Sequence, residues 1–144
     1  MGLDIFLLRK KKEEEYTEEE KAEQRNAPFM KDELYCPPCE EIGYWRKVPE
    51  LASLIEEMLE KYRPELKGEF NCQDLILTKE IALEMIQRIK EDDLNFEAMG
   101  FFWGEALTPG EERFEENKKR TLGIFETALE KIEEGYEIFC FNSW

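Results

Sequence analysis

The order of apolar and polar residues along this chain predicts strands at both ends and between its helices. Residues 1–8 carry apolar side chains at odd and even positions alike, which is typical of a strand covered on both faces. Residues 73–77 and 136–141 predict two further strands, and the second has the apolar character of a central strand. The aromatic run from Phe101 to Trp103, between two glycines, predicts a short strand or an aromatic turn.

Three stretches carry apolar residues at helical spacing. The first is predicted to begin at Pro49, whose fixed φ suits the first helical position, and to end before Pro64. The second follows Thr78 as its N-cap, and the third follows a capping box that starts at Thr108, has Pro at its first position and closes at Gly135. The predicted buried faces are Leu51, Leu54, Ile55, Met58, Leu59 and Tyr62 in the first helix, Ala82, Met85, Ile86 and Ile89 in the second, and Phe114, Thr121, Leu122, Phe125, Ala128, Leu129 and Ile132 in the third.

Two polar stretches complete the chain. Residues 9–26 are rich in Lys, Glu and Gln, which predicts a charged, exposed helix or loop, and residues 27–48 predict an irregular segment punctuated by Pro and Gly. Pro49 biases Val48 toward an extended conformation, so residues 44–47 are expected to enter the first helix as a strand or loop. The predicted fold class is α+β, an α/β sandwich with three main helices packed on a sheet of three to five strands that includes both chain ends. A chain of 144 residues with no repeat and no clean linker predicts a single domain over 1–144.

Charge narrows the class of partner. Thirty-five acidic against twenty basic residues give a formal net charge of −15, which disfavours direct binding to nucleic acid or to an anionic membrane. The absence of histidine removes the commonest general base, which weighs against an enzyme and leaves the question open. No apolar run approaches the roughly 20 residues of a membrane span, and the cations of residues 9–12 follow the first apolar run, whereas a signal peptide carries them before it. We therefore expect a cytoplasmic protein.

The four cysteines allow three interpretations. Cys36 and Cys39 form a Cys-x-x-Cys pair, and a zinc site would need Cys72 and Cys140 as its other ligands, because the chain has no histidine. A redox pair would need Cys36 at a helix N-terminus after a strand, and a loop broken by proline precedes it. We favour a rigid Pro-Pro turn that contains two thiols, and we expect no cofactor.

The sequence Tyr-Trp-Arg-Lys at 44–47 carries the candidate chemistry of the chain. Aromatic residues interleaved with cations would suggest a platform for nucleic-acid bases in a basic protein. In this acidic chain we expect Trp45 to pack in the core and Arg46 to pair with a carboxylate. Asp4 is the obvious partner, since a charged residue within an apolar strand must lie at its end or be paired.

Three blocks of the sequence resemble a family of small uncharacterised proteins from bacteriophages and from prophage regions of bacteria. The blocks are Met-Gly-Leu-Asp-Ile-Phe-Leu at the start, Gly-Tyr-Trp-Arg-Lys in the centre and Asn-Ser-Trp at the end. The resemblance implies a phage-type protein in the cytoplasm of a bacterial host and implies no activity; the Cys-Pro-Pro-Cys pair is not part of the pattern. It also implies a shared structural cluster of Asp4, Tyr44, Trp45, Arg46, Lys47 and Trp144.

Our first hypothesis for function is a non-enzymatic accessory factor that binds a host or phage protein. The negative charge and the lack of a catalytic motif motivate it. In its sharpest form, carboxylates of residues 13–23, or of the first and third helices, imitate the phosphates of nucleic acid and occupy a basic cleft as an inhibitor.

The alternative is a small-molecule-binding module or small enzyme with a pocket around Asp4, Tyr44, Arg46 and Lys47, and with Trp45 or Trp103 as an aromatic wall. The cations would hold a phosphorylated or carboxylated molecule, and Tyr44 or Asp4 would handle a proton. The same cluster is also open to a purely structural interpretation as a buried ion pair.

Overall fold

Three helices pack on one face of a four-stranded antiparallel sheet. The computed structural model describes residues 2–26, 39–100 and 104–144. The strands are β1 (Asp4–Lys10), β2 (Cys39–Arg46), β3 (Leu75–Ile76), β4 (Met99–Gly100), β5 (Gly104–Glu105) and β6 (Ile138–Ser143). The helices are α1 (Glu18–Asn26), α2 (Pro49–Tyr62), α3 (Lys79–Lys90) and α4 (Glu112–Glu133). The sheet order is β2-β1-β6-β3, and β4 pairs with β5 as a separate hairpin.

The predicted α+β architecture is confirmed, with the strands nearest both chain ends side by side in the centre of the sheet. β1 pairs with β6 in a register that places Ile5 opposite Asn142. β2 was only partly expected. Residues 27–48 were predicted to be irregular, which is wrong for 39–43, and residues 44–47 were predicted to enter the first helix as a strand or loop, which agrees with strand at 44–46. Its sequence lacks a clean alternation and contains a β-bulge opposite Leu7 and Leu8, so pairing with β1, which local pattern cannot reveal, defines the strand.

Helix α4 crosses β2 at very short range. A β-carbon at Gly43 would lie 2.6 Å from Cγ2 of Ile124 and 2.9 Å from the ring of Trp45. Only a glycine therefore allows this approach. The crossing brings the N-terminal half of α4 beside the end of β2.

The helix ends follow the predictions with one exception. α2 begins at Pro49 and ends before Pro64, and the hydroxyl of Thr78 accepts a hydrogen bond from the backbone of Ile81 at 3.2 Å at the start of α3. α4 begins at Glu112, so the predicted start with Pro at the first position is wrong: Gly110 has a φ of 98° and the preceding residues form a turn. A residue in the left-handed region does not belong to a right-handed helix, so α4 begins only after Gly110.

The core lies between the sheet and helices α2, α3 and α4. It contains the predicted apolar positions of α3 and most of those of α2, but Tyr62 is 40% exposed, so its predicted burial is wrong. The buried side chains of the core cluster are Leu3, Ile5, Leu7, Trp45, Leu51, Ala52, Leu54, Ile55, Met58, Leu59, Leu75, Leu77, Ile81, Met85, Ile86, Ile89, Phe125, Ala128, Ile138 and Cys140.

The opposite face of the sheet carries partly buried aromatic rings. Phe6 lies 5.2 Å from Tyr44 on β2 and 5.1 Å from Phe141 on β6, measured between ring centroids. These rings occupy directly opposed positions in the two registers. The row of rings ends at Asp4 and Arg46, which also oppose each other.

Arg9 is the one arginine that is buried in the described part of the chain. Its side chain is 8% exposed and donates to Glu15 at 2.7 and 2.9 Å and to Glu40 at 3.0 Å. Its guanidinium carbon also lies 4.4 Å from the ring centroid of Tyr136. The predicted charged stretch 9–26 is thereby tied to the sheet at its start, and Lys11 and Glu20 add an ion pair of 2.9 Å.

Candidate functional site

Asp4, Tyr44 and Arg46 meet at one end of the sheet, on the face opposite the helices. The register places Asp4 opposite Arg46, and Tyr44 lies two residues before Arg46, so the three side chains share a face. The Tyr44 hydroxyl donates to Oδ1 of Asp4, and Nη1 of Arg46 donates to the same oxygen at 3.2 Å. The predicted pairing of Arg46 with Asp4 is confirmed.

The ion pair of Arg46 and Asp4 is not buried, which corrects the interpretation as a buried structural pair. The side chain of Arg46 is 53% exposed and that of Asp4 is 26% exposed, because β2 lies at the edge of the sheet. The hydrogen bond to the Asp4 carboxylate raises the pKa of Tyr44, since that bond requires the neutral phenol. Tyr44 therefore keeps its proton at neutral pH and is poorly suited to accept one.

Trp45 does not form the aromatic wall beside Tyr44 that the sequence hypothesis offered. Trp45 is 2% exposed on the other face of the sheet, where its Nε1 donates to Oγ1 of Thr121 at 2.9 Å. Its predicted place in the core is confirmed. The side chain of Trp144 packs against the core, its backbone exchanges hydrogen bonds with Asn71, and Trp103 lies outside the described residues.

Lys47 ends β2 and turns the chain toward helix α2, beside a cleft. It has a φ of 52°, and its backbone N–H donates to the carbonyl of Leu3 at 2.8 Å. This left-handed residue ends β2 and directs Val48 into the first turn of α2. The side chains of Arg46 and Lys47 both line the cleft that opens beyond this turn.

The cleft has a volume of about 500 Å³ and is rich in cationic side chains. Arg113 and Arg120 of α4 lie seven residues apart, about two turns, so both project from the same side of the helix. The guanidinium of Arg120 donates to the carbonyl of Tyr44 and lies 5.5 Å from the ring centroid of Trp45, which fixes it against β2. The lining residues are Arg46, Lys47, Val48, Glu50, Gly104, Glu105, Leu107, Arg113, Glu116, Asn117 and Arg120.

The sequence hypothesis named Arg46 and Lys47 and missed the residues that α4 contributes. Arg113 and Arg120 each directly precede a buried residue of α4, Phe114 and Thr121. The spacing of these two arginines along the edge of the apolar stripe was the sequence feature that could have identified them as site residues. Their meeting with residues 46 and 47 depended on the crossing of α4 over β2, which no local pattern encodes.

Glu50 is a buried carboxylate in the wall of this cleft. It lies in the first turn of α2 and is 2% exposed. Among the described residues, no side chain or backbone group donates a hydrogen bond to its Oε2. Burial raises the pKa of Glu50, because a charged carboxylate is poorly stabilised away from water.

Replacing Glu50 with Gln is expected to raise the midpoint of thermal unfolding at about pH 8, because glutamine has the same shape and removes a buried charge. The raised pKa means that the folded state holds the proton more tightly than the unfolded chain does. The gain should therefore disappear as the pH falls below the ordinary glutamate pKa of 4.5, where both states are protonated. Thermal melts across this pH range would measure it.

Glu60→Gln is the matched control for this experiment, because Glu60 is an exposed residue of the same helix. It should leave the midpoint nearly unchanged at every pH. A lower midpoint for Glu50→Gln at about pH 8 would show that the Glu50 carboxylate stabilises the fold.

The cysteines are spread over different environments. Cys39 is half-buried at the start of β2, Cys72 is exposed, Cys140 is buried in the core, and Cys36 lies outside the described residues. Burial raises the pKa of the Cys140 thiol, which disfavours the thiolate that a metal ligand requires. Within the described ranges, no group of three or more His, Cys, Asp or Glu side chains is placed to hold a metal ion.

Comparison of the chain with known protein families, with curated proteins and with solved structures gave no match. The resemblance to bacteriophage proteins therefore stays a prediction, and function is argued from the site. None of the helices in the described ranges combines the length and the apolar character needed to cross a bilayer.

Proposed function

We propose that this protein is a binding module for a small anionic molecule, held in the cleft between the end of β2 and helix α4. The observation that carries the proposal is the convergence of Arg46, Lys47, Arg113 and Arg120 on one cavity of a chain whose formal net charge is −15. In such a chain most cations have carboxylates nearby. Glu50, Glu105 and Glu116 also line the cavity, so it carries four cationic against three acidic side chains, whereas the whole chain carries twenty against thirty-five.

The cations of the cleft are only partly neutralised by the protein itself. Arg46 has Asp4 as a partner, and Arg120 donates to a backbone carbonyl. Neither Lys47 nor Arg113 forms a salt bridge with any residue in the described ranges. Two long cationic side chains at the mouth of the cleft are thus available to a carboxylate or phosphate group.

The size and walls of the cleft suit a small ligand. Its volume of about 500 Å³ lies within the range of typical small-molecule sites. Lys47 supplies a mobile point charge, whereas an arginine offers a planar fork that matches a carboxylate or a phosphate. We propose binding without catalysis, because the candidate proton carrier, Tyr44, is held in its neutral form by Asp4.

Arg113→Gln is expected to weaken the binding of ethyl phosphate by about tenfold, because it removes a charge-assisted hydrogen bond. Isothermal titration calorimetry would measure the dissociation constant for each variant. Binding of the wild type should also weaken as salt is added, since the site is open to solvent.

Lys119→Gln is the matched control for the binding experiment. It removes one positive charge from the same helix, and Lys119 is exposed and does not line the cleft. Its dissociation constant should stay within about twofold of the wild type. Equal losses in the two variants, or no binding by the wild type, would overturn the proposal.

An accessory factor that binds a basic partner is our second candidate, and the negative surface motivates it. The specific version of this candidate, in which carboxylates of residues 13–23 imitate the phosphates of nucleic acid, has less support. Glu15 is bound to Arg9 and Glu20 to Lys11, and the hydrogen bonds from these cations lower the pKa of both carboxyl groups. Carboxylates already paired within the chain are weaker imitations of free phosphates, so we place this candidate after the cleft.

A further inference from the structure

Glu50 adds a buried carboxylate to a cleft whose lining includes four cations and the exposed carboxylates Glu105 and Glu116. Its side chain is 2% exposed, and Oε2 has no hydrogen-bond partner in the described part of the chain. The backbone N–H of Glu50 donates to this carboxylate, but a carboxylate oxygen removed from water without a donor of its own is unfavourable for the fold. A ligand group that donates to Oε2 would remove this cost, and a second anionic group at the same place would be repelled.

Among the described residues, no cation forms a salt bridge with Glu50 from the side away from the cleft. A small cavity of about 20 Å³ lies behind the carboxylate, lined mainly by apolar groups such as Leu51 and Phe114. Lys118 also lines this cavity, but its ammonium group lies 2.9 Å from Oδ1 of Asp92 and donates to the carbonyl of Lys90. Glu50 also lines the cleft, so a ligand bound there is a source of the missing donor.

We infer that the cleft takes a zwitterionic small molecule, whose anionic group lies against Lys47 and Arg113 and whose ammonium group donates to Glu50. This inference rests on the proposed function and adds the class of ligand. An ammonium group is favoured over a hydroxyl because its hydrogen bond to a carboxylate is charge-assisted. Glu105 and Glu116 also line the cleft, so its walls carry both positively and negatively charged side chains.

Access to Glu50 requires a local change at the cleft. Oε2 is closed to solvent, so contact with a ligand requires movement of the groups that cover it. Lys47 and Arg113 are exposed and carry no salt bridge to a described residue that would hold them in place. Rotation of such side chains takes picoseconds to nanoseconds and requires no backbone change.

A matched pair of probes tests the inference. O-phosphoethanolamine and ethyl phosphate differ by one ammonium group, and at about pH 7.5 both phosphates carry most of their second charge. By calorimetry, the wild type is expected to bind O-phosphoethanolamine about tenfold more tightly than ethyl phosphate. Glu50→Gln should bring the two dissociation constants within about twofold of each other, mainly by weakening O-phosphoethanolamine.

Glu112→Gln is the control for a general effect of charge. It removes an exposed carboxylate from the first turn of α4 that does not line the cleft, so it should keep the preference for the ammonium probe. Loss of the preference in Glu112→Gln to the same extent as in Glu50→Gln would overturn the role of Glu50. Thermal melts of both variants would confirm that they are folded.

The remaining outcomes separate the two proposals. If ethyl phosphate binds the wild type, is weakened by Arg113→Gln and is bound as tightly as O-phosphoethanolamine, the zwitterion inference fails and the anion-binding function stands. If neither probe binds the wild type, both fail. A preference for O-phosphoethanolamine that depends on Glu50 supports both.

Discussion

Replacing Trp45 with Ala is expected to lower the free energy of unfolding by about 3–5 kcal/mol, the usual cost of removing a large aromatic side chain from a core. The indole is 2% exposed and lies 6.0 Å from the ring of Phe125, centroid to centroid. Its loss leaves a cavity between β2 and α4, and the hydroxyl of Thr121 loses its donor. Urea denaturation followed by circular dichroism would measure the change.

Arg46→Ala is the matched comparison for Trp45→Ala. The two residues are adjacent in sequence, but Arg46 is 53% exposed on the other face of an edge strand. We expect its denaturation midpoint to stay close to that of the wild type, since exposed ion pairs contribute little to stability. Binding of ethyl phosphate should nevertheless weaken.

The reverse result would change the interpretation of the Tyr-Trp-Arg-Lys segment. If Arg46→Ala unfolds the protein, the ion pair with Asp4 is structural after all. If Trp45→Ala has a midpoint near the wild type, α4 does not depend on the indole for its position over β2. In either case the cleft would need a different structural explanation.

The second large effect is expected at Arg9. Arg9→Met should lower the free energy of unfolding by about 2–3 kcal/mol, less than the full cost of breaking a buried pair. Its carboxylate partners Glu15 and Glu40 lie closer to solvent, with side chains 31% and 52% exposed, and can recover water. Methionine keeps much of the apolar contact with Tyr136.

The effect of Arg9→Met should depend on pH with a definite sign. The hydrogen bond from Arg9 lowers the pKa of Glu15, so the folded state holds that proton less tightly than the unfolded chain does. The stabilisation is therefore fully present above the ordinary glutamate pKa and is lost as the pH falls through the lower folded value. Denaturation curves at about pH 7 and about pH 3 would show a smaller difference between variant and wild type in acid.

Lys10→Met provides the control on the same strand. Lys10 is 46% exposed and pairs loosely with Glu137 at 3.7 Å, so its replacement should change stability little. Equal losses for Lys10→Met and Arg9→Met would attribute the effect to the charge balance of the strand and not to the buried network.

Much of the candidate site could be predicted from sequence, but its position could not. The pairing of Arg46 with Asp4 followed from the cost of a lone charge in an apolar strand, and the burial of Trp45 followed from the acidic charge of the chain, which disfavours a platform for nucleic-acid bases. The exposure of the ion pair did not follow, because it depends on β2 lying at the edge of the sheet. Glu50 escaped notice because an acidic residue in the first turn of a helix is ordinarily solvated.

The sequence by itself determined the secondary structure that depends on few neighbouring residues: the start of α2 at Pro49, the cap of α3 at Thr78 and the apolar faces of the helices. Only the tertiary structure decided the full extent and the pairing of β2, the burial of Arg9 and the cleft. The hydrogen bond between Arg120 and the carbonyl of Tyr44 joins residues 76 positions apart. Strand register and helix crossing create such contacts, and local periodicity carries no information about them.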